Sequence, residues 1–120
     1  MKEEFLWWKS DKRNEFISEI FGKDSALITP KINGKPYVLR HCHLPPLNDK
    51  KALAKWKQCH RLGSRKVSDR VLIYAENNSD YYLIDILDDP GAHEIMKMKD
   101  VKGRSFMLKC AEEADIFLNK

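Results

Sequence analysis

The sequence predicts an α+β fold, with amino-terminal helices and a carboxy-terminal helix packed on a small, mostly antiparallel sheet. Three observations carry this. Two runs rich in Val, Ile, Leu and Tyr, Arg70 to Glu76 and Tyr81 to Asp88, flank the turn-forming "ENNSD". Apolar residues near both ends of the chain recur at helical spacing. The order helices, strand, helix, two strands, helix then places the strands in one small sheet with helices against it.

Taken in order, residues 2–9 set Phe5, Leu6 and Trp8 among charges and read as a short amphipathic helix. Ser10 or Asp11 is placed to cap a second helical stretch through Phe16, Ile17 and Ile20, which Gly22 would end. Lys23 to Lys35, with Pro30 and Gly34, reads as an irregular connection. Pro36 to Leu44 suits a strand with Tyr37, Leu39, His41 and His43 on one face and Val38, Arg40, Cys42 and Leu44 on the other. Pro45-Pro46 ends its pairing, because neither residue has an N–H to give. Asp49 then caps a helix that turns Ala52, Leu53 and Trp56 inward and its lysines outward, and Gly63-Ser64 fall in the loop beyond. Pro90-Gly91 closes the last strand; His93 to Met98 fits either a short strand or one helical turn. After Gly103, the spacing of Phe106, Cys110, Ala114, Phe117 and Leu118 predicts a terminal helix lying on the sheet.

At 120 residues the chain is the size of a single domain with one core. No apolar run is long enough to span a bilayer. The opening Met1-Lys2-Glu3-Glu4 does not resemble a secretory signal, so a cytoplasmic protein is expected. Cys42, Cys59 and Cys110 are odd in number and scattered, which favours reduced thiols over a disulfide framework. The net charge of +4 is unevenly spread. From Asp49 to Arg70, eight cations face only two carboxylates, so this stretch carries +6 and the remainder −2. Such a segment fits a polyanionic partner, RNA or DNA, or else a solvated helix and loop without a ligand.

The residues richest in chemistry are "RHCHL", Arg40 to Leu44. Histidines at i and i+2 can share a zinc ion with Cys59, His60 or His93, yet no Cys-x-x-Cys or His-Glu-x-x-His accompanies them, and no metal is expected. Cys42 makes a poor nucleophile, because its histidine neighbours point to the opposite face. Acid–base work is better supported. Metal-free RNA cleavage needs a base for the 2′-hydroxyl, an acid for the departing 5′-oxygen and positive charge on the phosphate. His41, His43 and His93 are candidates for proton transfer, and Arg40, Arg65 and Arg70 for the charge. The plainer alternative is a polar, solvated sheet face.

Several patterns in order resemble one family: "FGKD", "RHCHL", "SRKVSDRVLIY", "YYLIDIL", "GAHEIM" and "AEEADIFL", spanning about Phe5 to Leu118. Together they look like the YafO family of bacterial type II toxins, within the wider RelE/ParE-like group of small ribonucleases. The resemblance implies a RelE-like fold whose open sheet face meets RNA, an activity that cuts mRNA on the translating ribosome, and a cognate antitoxin that silences it. Carried over by position, the His-x-His pair becomes His41 and His43, the basic–Ser-Asp element becomes Arg65, Ser68, Asp69 and Arg70, and the late histidine becomes His93. The chain lacks the lysine-rich strand and late tyrosine of RelE itself, so His93 must stand in for that tyrosine. Arg40 falls on the face assigned to the core.

On this reading the protein is a metal-independent mRNA endonuclease that needs no cofactor. His41 or His43 is the base, His93 the acid, and Asp69 orients a histidine or arginine. Arg65 and Arg70 hold the phosphate, while Arg40, Lys55, Lys57 and Arg61 contribute to RNA binding. Two other classes fit the same residues: a non-catalytic nucleic-acid-binding module, and a RelE-fold toxin acting on a topoisomerase.

Overall fold

A computed structural model describes residues 1–120. The elements run α1 (Lys2–Lys9), α2 (Asn14–Ile17), β1 (Asp24–Leu27), β2 (Leu39–His43), α3 (Lys50–Arg61), β3 (Val71–Asn77), β4 (Asp80–Leu87), α4 (Ala92–Met96) and α5 (Val101–Leu118). The four strands form one sheet in the order β1-β2-β3-β4, every pair antiparallel. The α+β class expected from the sequence is therefore observed.

Both faces of this sheet are covered. On one, Leu39, Val71, Ile73, Ala75 and Leu87 pack against Met107, Cys110, Ala111 and Ala114 of α5. On the other, Cys42, Leu44, Leu72 and Tyr74 meet Phe5 and Trp8 of α1, with Phe21. Phe5 lies at the centre of the second cluster, edge-on to Phe21, Tyr74 and Tyr81 with ring centroids 5.0–5.6 Å apart. Two-sided burial explains why "VLIYA" in β3 is continuously apolar instead of alternating. A bulge between Ile73 and Tyr74 leaves Ile84 without an opposite residue and admits it to the α5 face.

Four features differ from the sequence reading. Lys23 to Lys35 is not wholly irregular, because Asp24–Leu27 pairs along β2 as an edge strand. The second helix is a single turn, since the Ser18 hydroxyl accepts the N–H groups of Ile20 and Phe21 in place of helical carbonyls. β2 starts at Leu39, because Tyr37 adopts a left-handed φ of +62° that interrupts an extended strand. α5 starts two residues before Gly103, with the Asp100 carboxylate accepting from the Gly103 N–H. Of the two options for His93 to Met98, the helical turn is the one adopted.

Asp49 caps α3 as expected, its carboxylate accepting from Lys51 N–H at 3.0 Å and Ala52 N–H at 3.1 Å; such a cap contributes about 1 kcal/mol. Trp56 is buried, as its inward position on α3 requires, and donates its indole N–H to Glu19 O at 3.1 Å. Gly22 sits beneath it. A Cβ there would collide with the Lys66 carbonyl and lie 2.8 Å from the Trp56 ring, so only glycine lets the chain enter β1 at this point.

Candidate active site

β2 is the spine of the site. His41 and His43 point from it to the α5 face, beyond the part that α5 covers, and α4 brings His93 beside them. The ring centroids of His41 and His43 are 5.5 Å apart, and those of His43 and His93 are 5.3 Å apart. The three imidazoles line a shallow cavity of about 510 Å³, whose walls are completed by Lys23, Ser25, Val67, Ser68 and Asp69. His41 and His43 are 9% and 5% exposed, so they form the floor of this cavity and do not lie on an open sheet face.

Each ring has a different environment. His43 Nδ1 lies 2.8 Å from Ser68 O and 2.9 Å from Ser68 N. One tautomer donates Nδ1–H to that carbonyl and leaves Nε2 unprotonated; the other accepts the amide N–H at Nδ1. Burial, reinforced by the neighbouring imidazoles and by Lys23, pushes the His43 ring down to about 4. His41 is also shifted down, chiefly by burial and then by His93, and its Nδ1 has no hydrogen-bond partner. His93 is half exposed, and its Nδ1 donates to Asp69 Oδ1 at 2.8 Å.

Asp69 is held from three sides. Its two oxygens accept the Gly91 N–H at 2.5 Å, the His93 N–H at 2.8 Å and the His93 ring. Burial alone would raise this carboxyl, but these donors outweigh it and keep it below its ordinary value. Asp69 thus covers the amino-terminal amides of α4 and aligns the ring that α4 carries. Ser68 fastens the same loop to the end of β2, donating its hydroxyl to Leu44 O and accepting the Arg70 N–H.

The other sequence-derived candidates lie elsewhere. Arg40 points to the α1 face, because successive strand residues alternate. There it donates to Tyr74 Oη at 3.1 Å and to Asp24 Oδ2 at 3.1 Å, in a network with Lys9 and Glu76. Arg65 pairs with Glu15 and lines a second cavity on that side with Arg40. Arg70 pairs with Asp88 at 2.9 Å and reaches Pro45 O. None of these arginines lines the histidine cavity. Lys55, Lys57 and Arg61 are exposed along α3. Cys42 is fully buried, and burial pushes its thiol far up, away from the thiolate a nucleophile needs. No three His, Cys, Asp or Glu side chains are disposed to hold a metal ion.

Sequence reasoning missed Lys23 and Ser25. Both belong to the segment read as irregular, and only the pairing of β1 brings them to the histidines. The one local signal is that Lys23 and Ser25 stand two apart around Asp24, as residues sharing a strand face do.

Fold and site together define a small basic α+β protein with imidazoles and a carboxylate gathered at one cavity, an arrangement suited to proton transfer. The chain matches the family model described as toxin YafO of a type II toxin–antitoxin system over residues 6–119, and it belongs to that toxin family. No curated protein and no solved structure is matched.

Proposed function

We propose that this toxin is a ribosome-dependent mRNA endonuclease with a RelE-like fold, acting in the cytoplasm and held inactive by a cognate antitoxin. The observation that carries the reading is the row of imidazoles ending on Asp69. Two rings 5.3 Å apart reach a single phosphodiester group, and the third lies next to them.

In the proposed reaction the mRNA 2′-hydroxyl gives its proton to His43 Nε2 while its oxygen bonds to phosphorus. The P–O5′ bond breaks, and the 5′-oxygen takes a proton from His93. The products are a 2′,3′-cyclic phosphate and a 5′-hydroxyl. His43 suits the base because its buried ring is neutral at pH 7. Its Nδ1-protonated tautomer, donating to Ser68 O, leaves Nε2 available. Asp69 fixes the orientation of His93, as a carboxylate does when it accepts from an imidazole Nδ1–H. His41 borders the base and stays neutral for the same reason, burial.

The test is cleavage of an mRNA during translation, mapped by primer extension. His43→Gln and His93→Ala should each cut about a hundredfold more slowly or worse. Glutamine keeps a polar side chain of similar size at this buried position, and His93 is exposed enough to lose without a cavity. Cys42→Ala should cut like wild type. Full activity in both histidine variants would remove the basis of the proposal.

A further inference from the structure

The three arginines that the sequence offers for the phosphate lie outside the cavity and are already neutralised: Arg40 by Asp24, Arg65 by Glu15 and Arg70 by Asp88. The cavity itself is lined by one lysine, Lys23, and no arginine. Its position is set by the backbone. The Gly22 N–H donates to His43 O and the His43 N–H donates to Lys23 O, both at 2.9 Å, while the Lys23 N–H donates to Lys66 O at 2.9 Å. Lys23 is therefore held beside His43 just ahead of β1, Ser25 stands across from His41, and all four line the same cavity. Asp24 between them points to the other face, where Lys9 and Arg40 occupy it.

Lys23 is half-buried and forms no ion pair. The groups facing it are His41 and His43 on β2, His93 on α4, and Asp69, which is engaged by α4 and His93. An uncompensated ammonium beside imidazoles opposes their protonation, and its charge contributes to holding both strand histidines down. This arrangement gains nothing in the empty protein. It becomes favourable when an anion enters the cavity.

We propose that Lys23 is the phosphate-contacting cation of the site, donating from its ammonium to a non-bridging oxygen of the scissile phosphodiester as charge builds during 2′-hydroxyl attack. This rests on the ribonuclease reading above. The positive charge that catalysis requires thus comes from the residue just ahead of β1, and the arginines of the basic stretch serve elsewhere.

The experiment is single-turnover cleavage of a translated mRNA by the full-length protein at saturating toxin, with ribosome co-sedimentation measured alongside. Lys23→Gln should slow cleavage about a hundredfold while ribosome binding is retained, which also reports that the variant is folded. Lys23→Arg should recover at least about a tenth of the wild-type rate, since it keeps the charge. The acidic limb of the pH–rate profile should also move to higher pH in Lys23→Gln, because the strand histidines lose a repelling charge; a purely structural role would not move it. Wild-type cleavage with an undiminished rate in Lys23→Gln overturns this inference alone. So does a loss on Arg65→Ala that exceeds the loss on Lys23→Gln. A wild-type protein that leaves translated mRNA intact overturns the ribonuclease reading and this inference with it.

Discussion

His43 is 5% exposed, and its burial has a thermodynamic consequence. The folded protein resists protonating this ring until about pH 4, whereas the unfolded chain protonates it near 6.5. As pH falls through that interval the unfolded state takes up a proton that the native state refuses, so stability declines. A shift of this size corresponds to about 3 kcal/mol lost between pH 7 and pH 4, and His41 acts in the same direction. Asp69 does not enter this window, because a lowered carboxyl loses its contribution only below the ordinary carboxylate range. Denaturant unfolding at pH 7.5 and 4.5 should show the decline, and His43→Gln should flatten it. An equally steep decline in that variant would place the titrating group elsewhere. At this scale the sequence shows which residues carry chemistry but not which of them meet. Asp69 and His93 are 24 positions apart, and their hydrogen bond depends on α4 docking beside the β3 approach.

Elements with their own burial pattern were legible, and elements held by a neighbour were not. β3 and β4 lie within one residue of the runs that predicted them, because each is long and apolar enough to fix its own boundaries. β1 is "DSAL", four half-buried residues with no alternation, and it exists because β2 offers it hydrogen bonds. The basic stretch also divides in a way the sequence hides. Lys66 is fully buried, donating to Glu15 O, and Arg65 and Arg70 are paired. Lys50, Lys51, Lys55, Lys57 and Arg61 of α3 remain exposed and unpaired, in a helix with no acidic residue. On the proposed function this helix is the RNA-docking surface, and it contacts backbone phosphate without reading sequence. Replacing Lys55, Lys57 and Arg61 together by alanine should reduce the log–log salt dependence of ribosome binding by about 2–3, each lost phosphate contact contributing about 0.7–0.9. Cleavage positions on the mRNA should be unchanged. A salt slope equal to wild type would show that α3 faces away from the RNA.

Covering both faces of the sheet gives this small molecule a rigid frame but little room to grip a substrate. The histidine cavity is shallow. That arrangement was only half legible: α5 was expected on the sheet, whereas the burial of His41 and His43 depends on how far α4 and the Ser68-Asp69 loop close around them. An open site with acid and base in place still lacks alignment of the 2′-oxygen with the breaking bond, and alignment is worth several orders of magnitude in rate. On the proposed function the ribosome supplies it. Purified toxin should therefore leave protein-free RNA essentially intact under conditions in which translated mRNA is cut, and chelation by EDTA should not change cutting by assembled translation complexes that tolerate it. In cells, inducing the toxin without its antitoxin should stop protein synthesis first, as read by pulse labelling with an amino acid and with thymidine. The alternative reading, poisoning of a topoisomerase, predicts the opposite order. If thymidine incorporation falls while amino-acid incorporation continues, the histidine cavity has some other task and the ribosome is not the target. If amino-acid incorporation falls first in wild type but not in His93→Ala, the arrest is traced to the ring that Asp69 holds.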